Sequence, residues 1–178
     1  MTADAIKARI RTVPDFPKKG IQFRDITTLL ADGEALAMSV QELARLSRTG
    51  QFDSVAGIEA RGFIFGTALA IQLGLGFIPL RKGGKLPVET IGEDYSLEYG
   101  IARLELDPSL IATGERVLLV DDLLATGGTA IAGANLLRRA GAVVDRALFV
   151  IDLPELGGAK ALAAHGLNAE AVVTFEGH

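Results

Sequence analysis

The stretch Val117-Leu-Leu-Val-Asp-Asp-Leu-Leu-Ala-Thr-Gly-Gly-Thr129 decides how this chain folds and where its chemistry sits. Val117 to Val120 are four apolar residues that read as a short buried strand. Asp121 and Asp122 follow at its C-terminal end, and the small residues Ala125–Thr129 open a helix that runs to about Ala140. A loop of this kind turns backbone N–H groups and hydroxyls toward a phosphate at a helix N-terminus. Adjacent carboxylates repel a bare phosphate but accept hydrogen bonds from sugar hydroxyls. The pairing therefore points to a ligand that is both sugar and phosphate. It is neither a Walker A loop, which ends in Gly-Lys-Ser/Thr, nor a G-x-G-x-x-G dinucleotide fingerprint. Gly127-Gly128 alone would suit a bare chain reversal, but two aspartates and two flanking threonines are more than a reversal needs.

Outward from this stretch, strand-like and helix-like segments alternate. Residues 54–58 read as a buried strand, Gly62 to Leu73 as a helix stopped by Gly74-Leu-Gly76, and Phe77–Leu80 as the next strand. Arg116–Val120 and Thr129–Ala140 follow as strand and helix. Then come Val143–Ile151 as strand, Glu155–His165 as helix and Ala169–Phe175 as a last strand. Such alternation implies right-handed βαβ units and a mostly parallel sheet with helices on its faces. Functional loops of such a sheet lie beyond the strand C-termini. The Asp121–Thr129, Glu59-Ala60-Arg61 and Arg81–Lys85 loops share that edge. Within 81–106, Tyr95–Tyr99 and Ile101–Leu106 alternate like hairpin strands around Gly100, a shape that can serve as a lid. Residues 1–50 carry an amphipathic helix, a Pro-rich loop over Val13–Gly20 and a second helix from about Asp32 to Arg48.

The 178 residues fit one domain, with 49% hydrophobic and 22% charged residues, ordinary for a globular protein. No apolar run approaches a membrane span, and the N-terminus lacks a signal core, so a cytoplasmic protein is expected. There is no cysteine, and the two histidines, His165 and His178, lack metal-ligand spacing and read as surface residues. A net charge of −4 argues against a broad nucleic-acid surface, so an anionic ligand must be held by a local cluster.

The Val117–Thr129 segment resembles the phosphoribosyl-pyrophosphate (PRPP) motif of the type I phosphoribosyltransferases. Phe16-Pro-Lys-Lys-Gly-Ile-Gln-Phe-Arg-Asp-Ile-Thr28 resembles the N-terminal hood of the adenine phosphoribosyltransferases within that family. The resemblance covers about residues 10 to 175. It implies the type I fold as a single α/β domain over 1–178, with the hood at 1–50 and a flexible lid hairpin at 81–106. It also implies the reaction adenine + PRPP → AMP + pyrophosphate in purine salvage, with Mg²⁺ and a homodimer. By it, Ala125, Thr126, Gly127, Gly128 and Thr129 hold the 5′-phosphate, and Asp121 and Asp122 accept from the ribose hydroxyls. Glu59, Ala60, Arg61, Lys82 and Lys85 surround the pyrophosphate, with a cis peptide between Glu59 and Ala60. Mg²⁺ is held mainly by PRPP oxygens and water, with Asp121 a possible ligand. Phe23 stacks on the base, and backbone groups of Ile21 and Arg24 read its edge, whereas Phe16 reads as a core residue. Glu98, in the hairpin, manages the proton at purine N7, so that Glu98, Arg61 and Lys82 form the catalytic set.

Two departures are small. Lys19 stands where relatives often have proline, and Gly84 where some have a second basic residue. A 6-oxopurine phosphoribosyltransferase would carry a lysine-bearing base loop and an aromatic C-terminal lid. Here that region reads Asp152-Leu-Pro-Glu-Leu-Gly-Gly158. A non-catalytic PRPP-binding regulator would add a DNA-binding domain, for which 178 residues leave no room.

Overall fold

The structure is a computed structural model that describes residues 2–97 and 100–177. A seven-stranded sheet runs in the order β5-β6-β4-β3-β7-β8-β9. Its parallel part comprises β3 (Ser54–Ile58), β4 (Gly76–Lys82), β7 (Val117–Leu124), β8 (Arg146–Asp152) and β9 (Asn168–Thr174), while β5 (Ile91–Leu97) and β6 (Gly100–Leu106) form an antiparallel hairpin on the edge of β4. The period-2 alternation of strand side chains splits the core into two layers. Val117 and Leu119 face α5 (Gly128–Arg139) and α6 (Gly158–Ala164). Leu118 and Val120 face the other layer, built from α1 (Thr2–Lys7), α2 (Thr27–Leu30), α3 (Gly33–Ser47) and α4 (Arg61–Leu73). Burial on both faces explains why these strands are continuous apolar runs.

The α/β architecture and mostly parallel sheet match the sequence reading, and several boundaries move. The strand expected over Arg116–Val120 continues to Leu124, because Leu123 and Leu124 pair with Ile151 and Asp152 of β8. Asp121 and Asp122 therefore lie inside the strand and share its rigidity. Val143, expected to start a strand, makes only an isolated bridge to Arg116, and β8 begins at Arg146. The helix expected from Glu155 to His165 is broken in two. Pro154–Leu156 form a 3₁₀ turn, Gly157 takes a left-handed φ of 76°, and α6 starts at Gly158. The expected 32–48 helix is α3, with Asp32 as its cap: the Asp32 carboxylate accepts from the Glu34 and Ala35 N–H groups, both at 3.1 Å, as N-cap aspartates do.

The Pro-rich loop is shorter than expected, because Arg11–Pro14 form β1, paired antiparallel with β2 (Gln22–Asp25). Asp25 ties this hairpin to α2. It accepts from the Thr27 N–H at 2.9 Å and from the Thr27 hydroxyl, and it pairs with Arg11. The Thr27 N–H, then Arg11, hold its carboxyl down at about 2.

Candidate active site

The C-terminal ends of β3, β4 and β7 open into a cleft of 530 Å³. Its floor is the Ala125–Thr129 loop, seated on the first turn of α6. Gly127 has a left-handed φ of 88° and precedes α5. A Cβ there would meet Leu162 Cδ1 at 2.5 Å, and one on Gly158 would meet the Ala125 carbonyl at 2.3 Å. Two glycines thus let loop and helix approach more closely than any side chain permits. The last described turns of the hairpin hang above, where the Ser96 carbonyl lies 3.8 Å from the place a Gly128 Cβ would occupy.

One wall is acidic. Asp122 is 4% exposed, and its Oδ2 accepts from Arg61 Nε at 2.5 Å. Asp121 Oδ1 accepts from the Asp122 N–H at 2.8 Å and sits beneath Gly62, where a Cβ would come within 2.9 Å of it. Burial, then the neighbouring Asp122 carboxylate, push the Asp121 carboxyl well above its ordinary range. A cation or donating hydroxyls placed beside the Asp121 carboxyl would favour its charged form.

The opposite wall is basic, and Glu59 organises it. Its Oε2 accepts from Arg81 Nε at 3.0 Å and from the Lys82 N–H at 2.8 Å. Arg81, then the Lys82 N–H, hold the Glu59 carboxyl below its usual range. Glu59 thus fixes the end of β4 and leaves the Lys82 side chain exposed on the cleft. The Glu59–Ala60 peptide is cis, as the resemblance implied, and Phe16–Pro17 is cis as well.

A second recess of 420 Å³ lies against the β1–β2 hairpin, with Val13, Phe16, Phe23 and Ile26 supplying its apolar lining. Arg61 lines both this recess and the main cleft. Phe16 is not a core residue, as the sequence suggested: it is 52% exposed and packs edge-to-face on Phe23, with ring centroids 5.1 Å apart. Its ring lines the recess instead.

The fold thus gathers Glu59, Ala60, Arg61, Lys82, Asp121, Asp122 and Ala125–Thr129 around one cleft, with Phe23 and Arg24 at the adjoining recess. Lys85 and Ile21 line neither. Lys85 is exposed and offers its carbonyl to Arg81, and the Ile21 N–H is committed to the Lys18 carbonyl. Glu98 lies outside the described residues. Sequence reasoning missed Arg81, which partners Glu59, and Tyr95, which lines the cleft. It also missed Gly158, although the Gly157-Gly158 pair after a strand is a visible sign of close backbone approach.

This cleft, with a small-residue loop at a helix N-terminus and, near the end of a central strand, a half-buried Asp121 beside a buried Asp122, is of the class of sites that hold a sugar phosphate. The family model "Phosphoribosyl transferase domain" matches residues 27–161. A protein of Erythrobacter litoralis named adenine phosphoribosyltransferase is 60% identical over 178 residues, covering all of both chains. The crystal structure of adenine phosphoribosyltransferase from Thermoanaerobacter pseudethanolicus superposes with a TM-score of 0.92 at 47% identity, covering 97% of this chain and 99% of that one. The Saccharomyces cerevisiae enzyme, solved with an imino-altritol bisphosphate and adenine, gives 0.89 at 32% identity, covering 96% and 98%. The chain belongs to the adenine phosphoribosyltransferases of the type I phosphoribosyltransferase family.

Proposed function

We propose that this chain transfers the 5-phosphoribosyl group from PRPP to adenine, releasing pyrophosphate and AMP, in cytoplasmic purine salvage and as an Mg²⁺-dependent homodimer. One observation carries the reading: Arg61 stands between a cleft built for a ribose phosphate and an aromatic recess of a size for a base. The S. cerevisiae relative holds adenine and a bisphosphate together. No helix among the described residues is long and apolar enough to cross a membrane.

The N–H groups and hydroxyls of Ala125–Thr129 hold the 5′-phosphate. Asp121 and Asp122 accept from the ribose hydroxyls and, as fixed negative charges beneath the ring, stabilise the positive charge that develops at C1′. Adenine lies in the hairpin recess against Phe23, with the backbone of Arg24 near its edge; Ile21, outside the recess with its N–H on the Lys18 carbonyl, would reach the base only through its carbonyl. Its N9 attacks C1′ as the bond to pyrophosphate breaks, and Arg61 and Lys82, with Lys85 behind them, take up the charge of the leaving group. Glu98 accepts or returns the proton at N7. Among the described residues no three carboxylates or imidazoles converge as a metal cage. Mg²⁺ keeps its waters and binds through substrate phosphates with one or two carboxylates; Asp121, on the cleft wall, would be its protein ligand here. When bound, the ion would supply positive charge against the pyrophosphate oxygens.

The test is incubation with PRPP, Mg²⁺ and each purine in turn. Adenine is expected to give AMP and pyrophosphate, with hypoxanthine and guanine far weaker, because a wrong base edge leaves buried polar groups unpaired. Comparable turnover of hypoxanthine would sink the assignment. Glu98→Ala should lower kcat while leaving the KM for PRPP in place, and an unchanged kcat would remove Glu98 from the chemistry. The homodimer is supported by Ile71, 76% exposed, and Ile64 on the outer face of α4. Light scattering should give twice the monomer mass at micromolar concentration, and a fully active monomer would refute it.

A further inference from the structure

The last described residues of the chain, Phe175 to Gly177, cross from the sheet to the N-terminal hairpin, and nothing in the mechanism above uses them. Phe175 continues β9, where its N–H donates to the Asp152 carbonyl at 3.0 Å. Its ring is buried, 9% exposed, and two cations from the N-terminal layer lie near its ring. Arg24 Cζ stands 4.5 Å from the ring centroid and Lys7 Nζ 4.7 Å. One residue on, the Glu176 carbonyl accepts from Arg24 Nη2 at 2.9 Å. The Gly177 N–H then donates to Glu155 Oε1 at 2.9 Å, anchoring the segment back on the 3₁₀ turn that follows β8.

Arg24 is the joint. Its Nη1 donates to Thr12 Oγ1 of β1 at 2.6 Å, so one guanidinium ties β1, β2 and the C-terminal segment together. The contacts between the two sides are specific in chemistry. A planar cation over an aromatic face is favoured when desolvated, and a guanidinium offers several donors in a fixed fork. β1 and β2 are a two-stranded sheet with four paired positions, too small to hold its shape alone, and this joint adds a second tie to the one Asp25 makes to α2.

We propose that Phe175 is a positioning residue for the base: through the Arg24 side chain it sets the height of β2, and so of Phe23 and the Arg24 backbone, over the main cleft. Phe175 lines neither recess, so it acts through Arg24 and not by touching a ligand. The proposal rests on the reading of the hairpin recess as the adenine site. It implies a division of labour. The PRPP half of the site is carried by β7 and α5, inside the rigid sheet, and the base half is adjusted from the C-terminus.

The test compares the parent protein with Phe175→Leu, which keeps an apolar side chain and the N–H to Asp152, and with Phe175→Tyr, which restores the ring. Initial rates are measured against adenine and, separately, against PRPP. Phe175→Leu should raise the KM for adenine about tenfold, equal to ~1.4 kcal/mol, with kcat and the KM for PRPP within about twofold. Phe175→Tyr should return adenine KM to the parent value. An unchanged adenine KM, or equal rises for both substrates, would overturn the proposal. Amide hydrogen exchange gives the second measurement. Phe23 and Arg24 should lose protection in Phe175→Leu while Leu118–Val120 keep theirs, and a uniform loss would reduce Phe175 to an ordinary core residue. If the parent makes no AMP, the base-site reading fails, and exchange alone then decides whether the clasp holds the hairpin.

Discussion

Gly127→Val should abolish the thermal stabilisation that PRPP gives this protein. The parent, with ligand at 100 times its Kd, gains ~2.7 kcal/mol, which for a domain of this size is roughly 5–10 °C. The substitution acts in two ways. A β-branched residue at a left-handed φ of 88° is strained by roughly 1–3 kcal/mol. Its Cβ also meets Leu162 at 2.5 Å and the Gly158 carbonyl at 3.2 Å. The crowding therefore comes from α6 below the loop, and the loop must rise into the space a phosphate would use. Differential scanning fluorimetry with and without PRPP reads the result against each variant's own ligand-free midpoint, so a lower starting stability does not confuse it. Should the valine variant fail to fold, Gly127→Ala keeps the strained φ with a smaller side chain and should still lose most of the shift. A full shift in either variant would move the phosphate away from this loop.

That crowding shows what the sequence displayed and what it withheld. Gly127-Gly128 between a Val/Leu strand and a helical run was legible as a phosphate-sized turn, because local period and glycine content are local properties. What the loop rests on was not, since Leu162 and Gly158 lie more than thirty residues further on. The strand–helix alternation gave the parallel sheet for the same local reason. It ended β7 too early, because two aspartates look like a strand end and only the pairing with Ile151 and Asp152 shows otherwise. Glu59 and Lys82 were visible as members of charged loops, but that Glu59 serves Arg81 and the Lys82 N–H is a long-range pairing that no periodicity encodes. Phe16 was misplaced because hydrophobicity alone does not distinguish a core ring from one lining an open recess.

Arg61 and Asp122 should behave as one unit. Asp122→Asn and Arg61→Met are each expected to lower kcat/KM by about 10²–10³, the usual loss for one preorganised electrostatic partner. The double variant should fall no further than the worse single one. The reason is geometric: Asp122 is held by Arg61 Nε at 2.5 Å, so removing either leaves the other misdirected. The stabilities should diverge in a definite order. Arg61→Met strands a carboxylate that is 4% exposed, and an uncompensated buried charge costs about 3–5 kcal/mol. Asp122→Asn leaves behind an arginine whose side chain is 56% exposed and can turn to water. Urea unfolding should therefore find Arg61→Met the least stable, Asp122→Asn close to the parent, and the double variant more stable than Arg61→Met. Losses in kcat/KM that multiply, to about 10⁴–10⁶ in the double variant, would mean that Arg61 at the pyrophosphate and Asp122 at the ribose hydroxyls work independently, neither positioning the other. The ion pair would then be a contact of the ligand-free state alone.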